Sequence, residues 1–334
     1  MSHYHLYAIG NALVDTEYEV SDALLQTMGV SKRHMTLIDT AQRAELLGHV
    51  QGLHARRTGG GSAGNTVVAL AQLGGKAFYS CRVANDELGA FYSQDLQANG
   101  VATNLTHTPA QEGQTGSCMV LVTPDAERSM CTFLGATSQL DASALHPHDI
   151  AKAKIYYMEG YLAASPTGLE AAVKGRQIAI EHHVQTALTL SDVSMINFCR
   201  HGLEAMIGNS LDYLFANEEE AQTWCGTTEL DAIIGQLSQL ATTVCLTRGP
   251  KGCIVVQGEQ RIDVPAVPTQ AVDTNGAGDM FAGAFLYGIT HGQSPTQAAA
   301  LANRAAAAVV SQHGNRLTAT QLQAIAAEAA KAQV

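Results

Sequence analysis

The sequence predicts an α/β fold, a mostly parallel sheet covered by helices on both sides. Three observations predict it. Short apolar runs alternate with longer segments of helical period along most of the 334 residues. Several of the helical segments open on clear caps. No internal repeat, low-complexity tract or linker divides the chain, which favours one domain over residues 1–334. Hydrophobic residues make up 46% and charged residues 15%, which excludes wholesale disorder. A chain of this length needs no disulfide or metal to hold its core.

In order, the strand candidates are Leu6–Ile9, Ala77–Val83, Cys118–Val122, Ile155–Met158, Ala187–Leu190, Tyr213–Ala216, Val244–Thr247 and Cys253–Val256. Ser165-Pro166 opens a helix, with Ser as cap and Pro in the first turn. Ser294-Pro295-Thr296-Gln297 opens another as a capping box, which Gly314 would close. Thr320 begins a last amphipathic helix with Leu322, Ile325 and Ala329 on one face. Two stretches, about 13–57 and 101–135, break the rhythm. Both are polar, with short β-prone pieces and no βα unit, and together they would make a small β lid.

The net charge is −11, from 19 basic and 30 acidic residues. That argues against a nucleic-acid partner, which calls for a basic face, and leaves small anionic ligands open. Seven cysteines, an odd number without a CxxC, read as reduced thiols in a cytoplasmic protein. Met1–Gly10 lacks the basic and long apolar parts of a secretory signal, and no apolar run is long enough to span a membrane. The histidines, including His146, His148, His182 and His183, show no ligand spacing.

The strongest chemical signal is Asp273-Thr274-Asn275-Gly276-Ala277-Gly278-Asp279, followed by the apolar run Met280–Tyr287. Small residues leading into a helix start leave successive backbone N–H groups free to face one anion, and the helix dipole favours negative charge there. Asp279 stands where it can take a proton beside that anion hole. The plainer reading is a helix cap after a glycine turn. Gly59-Gly60-Gly61-Ser62-Ala63-Gly64-Asn65 also fits the GxGxxG dinucleotide pattern. That reading fails because His54–Thr58 is not the apolar strand the pattern requires. Bare backbone with Asn65 beside it suits a polyol instead. No GxxxxGK[ST] is present, so P-loop chemistry is not available.

Asp15, in Gly10-Asn11-Ala12-Leu13-Val14-Asp15, follows the first strand and can accept from a vicinal diol; a turn Asp is the alternative. Asn217-Glu218-Glu219-Glu220 follows a strand and reads as helix-start chemistry. Thr247-Arg248-Gly249-Pro250-Lys251-Gly252 reads as a hairpin turn that adds local positive charge.

The two glycine-rich motifs, in this order and roughly 200 residues apart, resemble the signatures of the ribokinase (PfkB) family of carbohydrate and nucleoside kinases. Leu73-Gly74-Gly75 and Asn85-Asp86-Glu87-Leu88-Gly89 extend the likeness, which runs from about Ala8 to Gly314. The resemblance implies a ribokinase-like three-layer α/β/α sandwich with a small β lid. It implies ATP and Mg²⁺ as cofactors, with K⁺ as a further candidate. It implies Asp279 as general base, with Gly276, Ala277 and Gly278 in the anion hole and Arg128 as a lid arginine on the transferred phosphoryl group. Asn11, Asp15, Gly60, Gly61 and Asn65 would bind sugar hydroxyls. Asn217, Thr247, Arg248, Gly249 and Gly252 would line the nucleotide, with Asn303 at the adenine wall, although an Asn on an Ala-rich helix is more often a packing hydrogen bond. Asn217 and Glu220 would position Mg²⁺ through water. Asp273 and Asn275 resemble a monovalent-cation loop.

Within the family, the Gly-Asn-x-x-x-Asp spacing is similar to that of adenosine kinases. So is the order of Gly113–Cys118, Arg128-Ser129 and Glu159–Leu162. Leu13, Phe133 and Tyr161 can sandwich an aromatic base, or be ordinary core. The expectation is therefore phosphoryl transfer from ATP to the 5′-OH of a ribonucleoside, adenosine first. A kinase of ribose, fructose or a related sugar is the alternative within the class, and a non-catalytic nucleotide or sugar sensor the alternative outside it. Monomer and homodimer both fit.

Overall fold

The computed structural model describes residues 3–32, 34–107, 112–125 and 127–331; residues 1 and 2 of the Met1–Gly10 stretch, and 33, 108–111 and 126 of the two polar stretches, lie outside them. In chain order its strands are β1 (Tyr4–Ile9), β2 (Leu13–Glu19), β3 (Met35–Leu37), β4 (Ala55–Gly60), β5 (Ala77–Ser80), β6 (Ala102–Thr103), β7 (Ser117–Val122), β8 (Arg128–Phe133), β9 (Ala153–Glu159), β10 (Gln185–Thr189), β11 (Leu211–Asn217), β12 (Ala241–Thr247), β13 (Cys253–Gln257) and β14 (Gln260–Val264). Nine form one sheet in the order β14-β13-β12-β11-β10-β9-β1-β5-β6. From β12 to β6 every pairing is parallel; β13 and β14 add an antiparallel edge.

The strand period of two sends alternate residues to opposite faces, and both faces are buried. Leu6, Ala8, Ile155, Tyr157 and Phe215 pack against helices Ser62–Gln72, Ala277–Thr290 and Pro295–Val310. Tyr7, Ile9, Tyr156, Met158 and Leu214 pack against helices Pro166–Glu181, Val193–Ile207 and Glu218–Cys225. The result is a helix–sheet–helix sandwich. Among the described residues no helix is long and apolar enough to cross a membrane.

A second sheet, ordered β3-β8-β7-β2-β4, is drawn from the two stretches that break the rhythm. Its own small core joins Tyr18, Met119, Leu121 and Cys131 to Leu25 and Leu46, which lie on helices Asp22–Thr27 and Thr40–His49. These two helices correct the expectation of no βα unit there. Ala55–Gly60 is a strand, but not the apolar one that the dinucleotide pattern requires. It is an exposed edge strand antiparallel to β2, so the Gly-rich segment still lacks the parallel βαβ setting of a dinucleotide site.

Two boundaries differ from expectation for local reasons. β5 stops at Ser80, where the Asn104 side chain takes over the Cys81 backbone: Cys81 N donates to Oδ1 at 3.0 Å and Nδ2 donates to Cys81 O at 3.0 Å. The Pro295 helix ends at Val310, short of Gly314, with the Val310 carbonyl accepting from Val272 N and Asp273 N.

Candidate active site

The strand order reverses at β1, whose neighbours are β5 on one side and β9 on the other. In an open α/β sheet, the carboxyl ends of the strands at such a reversal form a crevice that suits a ligand. Glu159, at the end of β9, spans this crevice. It is fully buried, and its carboxylate accepts from Asn11 N at 2.7 Å and Ala63 N at 2.8 Å. Burial pushes its carboxyl up to about 7, against the pull of those amides.

The helix Ala277–Thr290 starts at the same crevice. Gly276 caps it with φ +76°, a left-handed conformation that favours glycine, and a Cβ there would lie 2.6 Å from Asn315 O. No side chain caps the helix; of its first amides, Ala277 N donates to Thr274 O at 3.3 Å. Asp279, in that first turn, accepts from Ser62 Oγ at 2.6 Å and Asn65 Nδ2 at 2.9 Å. Burial raises its carboxyl above the ordinary range, while Ser62, Asn65 and the Arg316 guanidinium draw it back down. An oriented carboxylate beside amides that no side chain caps can accept a proton next to a bound anion.

Asp15 is not in the loop after β1, as the sequence suggests, but inside β2, whose alternation turns Asp15 and Glu17 toward the crevice and Val14, Thr16 and Tyr18 inward. Burial pushes the Asp15 carboxyl up to about 7, with Arg316 opposing. Gly60 and Gly61 follow by close approach. A Cβ at Gly60 would lie 2.5 Å from Asp15 Oδ1, and one at Gly61 2.0 Å from Asn11 O. Asn11 is tethered by its backbone to Glu159 and Tyr79. Its Oδ1 accepts from Thr137 Oγ1 at 3.2 Å. Phe133, at the end of β8, lies under the Arg43 guanidinium. Tyr161 donates to Ser191 O at 3.5 Å, with burial raising its phenol. Phe133 and Tyr161 make no ring contact with each other among the described residues.

Two side chains that no motif announces also enter here. Asn315 Nδ2 donates to Asp15 Oδ2 at 2.9 Å. Arg316 Nε donates to Asn65 Oδ1 at 2.8 Å, and its Nη1 to Asp95 Oδ2 at 2.6 Å.

On the other side of the crevice, Asn217 and Glu220 form a reciprocal capping box. Asn217 N and Nδ2 donate to the Glu220 carboxylate at 3.0 and 2.6 Å, and burial pushes that carboxyl up to about 7. A hard oxygen donor so held fits a hydrated Mg²⁺ reached through water, since direct ligation would break the box. Thr247 ends β12, and Arg248 and Lys251 in the hairpin that follows both pair with Glu218. Gly249 and Gly252 have φ +53° and +87°; a Cβ at Gly252 would lie 2.1 Å from Val264 O. Asn303 is buried, and Nδ2 donates to Val264 O and Pro265 O, so its donors are engaged by the chain rather than offered to a ligand.

Asp273 departs most from expectation. Its Oδ1 accepts from Asn275 N at 3.1 Å, and its Oδ2 from Gly314 N at 2.9 Å and Arg128 Nη1 at 2.8 Å. Arg128 also reaches Glu17 at 2.5 Å. A guanidinium already neutralises this carboxylate, so the loop as arranged does not fit a monovalent cation. Arg128 reaches the loop before the helix but is held there by two carboxylates.

The chain matches the pfkB family carbohydrate kinase profile over residues 32–321. The solved adenosine kinase from Sinorhizobium meliloti is 38% identical with a TM-score of 0.87, the match covering 98% of this chain and 99% of that one. A probable sugar kinase from Rhizobium etli CFN 42 is 36% identical with a TM-score of 0.88 over 99% of each chain. An adenosine kinase from Saccharomyces cerevisiae is 29% identical over 313 residues, 86% of this chain and 89% of that protein.

Proposed function

Because the chain belongs to the pfkB family of carbohydrate kinases, with the ribokinase-like fold, and is therefore a sugar or nucleoside kinase, we propose that it moves the γ-phosphoryl group of ATP to the 5′-OH of a ribonucleoside, adenosine in the first place. One observation carries the reading: the Asp279 carboxylate, fixed by Ser62 and Asn65, sits in the first turn of a helix whose amides no side chain caps.

Asp279 takes the proton of the attacking hydroxyl as the bond to phosphorus forms. Burial raises its basicity above that of an ordinary carboxylate, which suits a general base. The amides from Gly276 to Asp279 face the three oxygens over which charge spreads in transfer. Asn11, Asp15, Gly60, Gly61 and Asn65 bind the acceptor's hydroxyls. Arg248, Gly249 and Gly252 border the nucleotide. Asn217 and Glu220 would hold Mg²⁺ through water, and the ion would neutralise phosphate charge. The second sheet acts as a lid that excludes water, the competing acceptor. Seven free thiols support a reducing, cytoplasmic setting.

Likeness to the adenosine kinases of Sinorhizobium meliloti and Saccharomyces cerevisiae supports a nucleoside acceptor. Likeness of the same order to a probable sugar kinase favours a second reading, a sugar acceptor at the same site. A coupled ADP-release assay with adenosine, inosine, ribose and fructose separates the two. Release with adenosine is expected. Release with sugars alone establishes the second reading, and release with none sinks the kinase mechanism in favour of a sensor.

A further inference from the structure

Asn65 places two chemically different ends in one plane. Its Nδ2 donates to Asp279 Oδ2, and its Oδ1 accepts from Arg316 Nε. An amide's two ends are nearly equal in shape, so what fixes their order is the partner that accepts only one of them. Arg316 is that partner. A guanidinium has five N–H donors and no acceptor, and it stays protonated. Only the carbonyl end of Asn65 can face it, so the NH₂ end must face Asp279.

Arg316 is itself locked. Its side chain is 10% exposed and Nη1 donates to Asp95 Oδ2 at 2.6 Å. Gly59 leaves the room for that pair: a Cβ there would lie 2.3 Å from Asp95 Oδ2 and 2.9 Å from Arg316 Nη1. Its buried Nη2 has no partner.

We propose, on the reading of Asp279 as the base, that Arg316 is a positioning residue for phosphoryl transfer, acting through Asn65 to keep an N–H donor on the Asp279 carboxylate. An amide turned the other way would offer Asp279 a carbonyl oxygen and so favour the protonated acid, which cannot take a proton from the acceptor. Arg316 also faces Asp279 as a cation. The other titratable groups around Asp279 are the carboxyls of Asp15 on β2, Glu159 on β9 and Glu220 on the Glu218–Cys225 helix, and the phenols of Tyr157 and Tyr161. None of these is a cation. Arg128, from β8, reaches Asp15 but is engaged by Glu17 and Asp273.

The test is the pH profile of kcat for Arg316→Gln and Arg316→Lys, with saturating ATP–Mg²⁺ and whichever acceptor of the panel above releases ADP. Removing the cation and freeing the amide raises the pH at which the base ionises. Arg316→Gln should move the acid-side midpoint up by about one unit, a tenfold loss of turnover below it, with a smaller loss on the alkaline plateau. A merely structural arginine would lower the folded fraction and scale kcat equally at every pH, so an unmoved midpoint overturns the proposal. If Arg316→Gln does not fold, as read by its thermal melt, Arg316→Lys decides. A single ammonium cannot span both Asn65 and Asp95, so kcat should fall and the midpoint rise part-way with KM near the parent's. Parent values for all three overturn the proposal. Asp279→Asn separates this from the reading beneath it. Turnover retained in Asp279→Asn sinks the base itself, whereas an inactive Asp279→Asn with an unmoved Arg316→Gln profile sinks only the role of Arg316.

Discussion

The guanidinium of Arg128 lies 2.8 Å from the carboxylate of Asp273, tying the second sheet to the loop that opens the Ala277–Thr290 helix. Both side chains are largely buried, at 14% and 4% exposure, so each neutralises a charge that would otherwise be costly to desolvate.

With that pair in place, turnover should not change when K⁺ is replaced by tetramethylammonium at constant ionic strength. Arg128→Ala leaves Asp273 with two amide donors and no cation, so this variant should lose turnover and regain part of it with K⁺. Steady-state ADP release across the two salts checks both. A parent enzyme that needs K⁺ would contradict the arrangement of Asp273.

Asp279→Asn keeps the size of the side chain and removes the base. Its kcat should fall by about 10²- to 10⁴-fold, the usual contribution of a positioned general base. The KM for ATP should change little, because Asn217, Arg248 and Gly252 lie across the crevice. Initial rates at saturating acceptor measure this.

Two glycines of the same helix start should behave oppositely. Gly276→Ala forces a Cβ to within 2.6 Å of Asn315 O at φ +76°, and should cost about 1–3 kcal/mol in urea unfolding. Gly278→Ala meets nothing within 4 Å and should leave stability within about 1 kcal/mol of the parent. A loss of turnover in Gly278→Ala without loss of stability marks steric block of the anion hole.

Glu159 makes stability depend on pH with a definite sign. Its folded carboxyl ionises near 7 against an ordinary 4.5, so the folded state binds the proton more tightly. Its contribution is then full below the ordinary value and is lost as pH rises through about 7. The urea midpoint should decline between pH 5 and 7, to which Asp15, also raised to about 7, contributes in the same direction. Glu159→Gln should flatten that slope while lowering stability overall, because the amide's NH₂ opposes one of the two backbone donors. An unchanged slope would mean that Glu159 is already ionised at pH 5.

The central sheet was legible because its strands are buried on both faces and read as unbroken apolar runs, as in Tyr156-Tyr157-Met158. The Asp279 and Gly61 segments were legible because left-handed backbone and close backbone approach call for glycine, here at Gly276 and Gly61. The second sheet was legible only in part: a β lid from the two polar stretches and the run Cys118–Val122, within β7, show in the sequence, but β2 and β4 do not. In β2, Asp15 and Glu17 occupy the face that meets the crevice, and β4 is an exposed edge carrying Arg56 and Arg57, so neither shows an apolar strand signal. Glu159 closes an apolar strand, and Asn315-Arg316 follow a glycine that reads as a helix stop. Isolated polar residues of this kind gain meaning only from partners such as Asn65 and Asp95, which lie 251 and 221 residues away in the chain.

β4 runs without a spacer through Gly60 and Gly61 into the Ser62–Gln72 helix that carries Asn65. The roof of the crevice and the grip proposed for the substrate's hydroxyls are thus one continuous piece of chain. A graft of residues 11–65 and 117–133 between relatives would carry Asn11, Asp15, Gly60, Gly61, Asn65 and Phe133 to the recipient and leave the nucleotide side native. Preference for one alcohol over another should therefore be transplantable as a block.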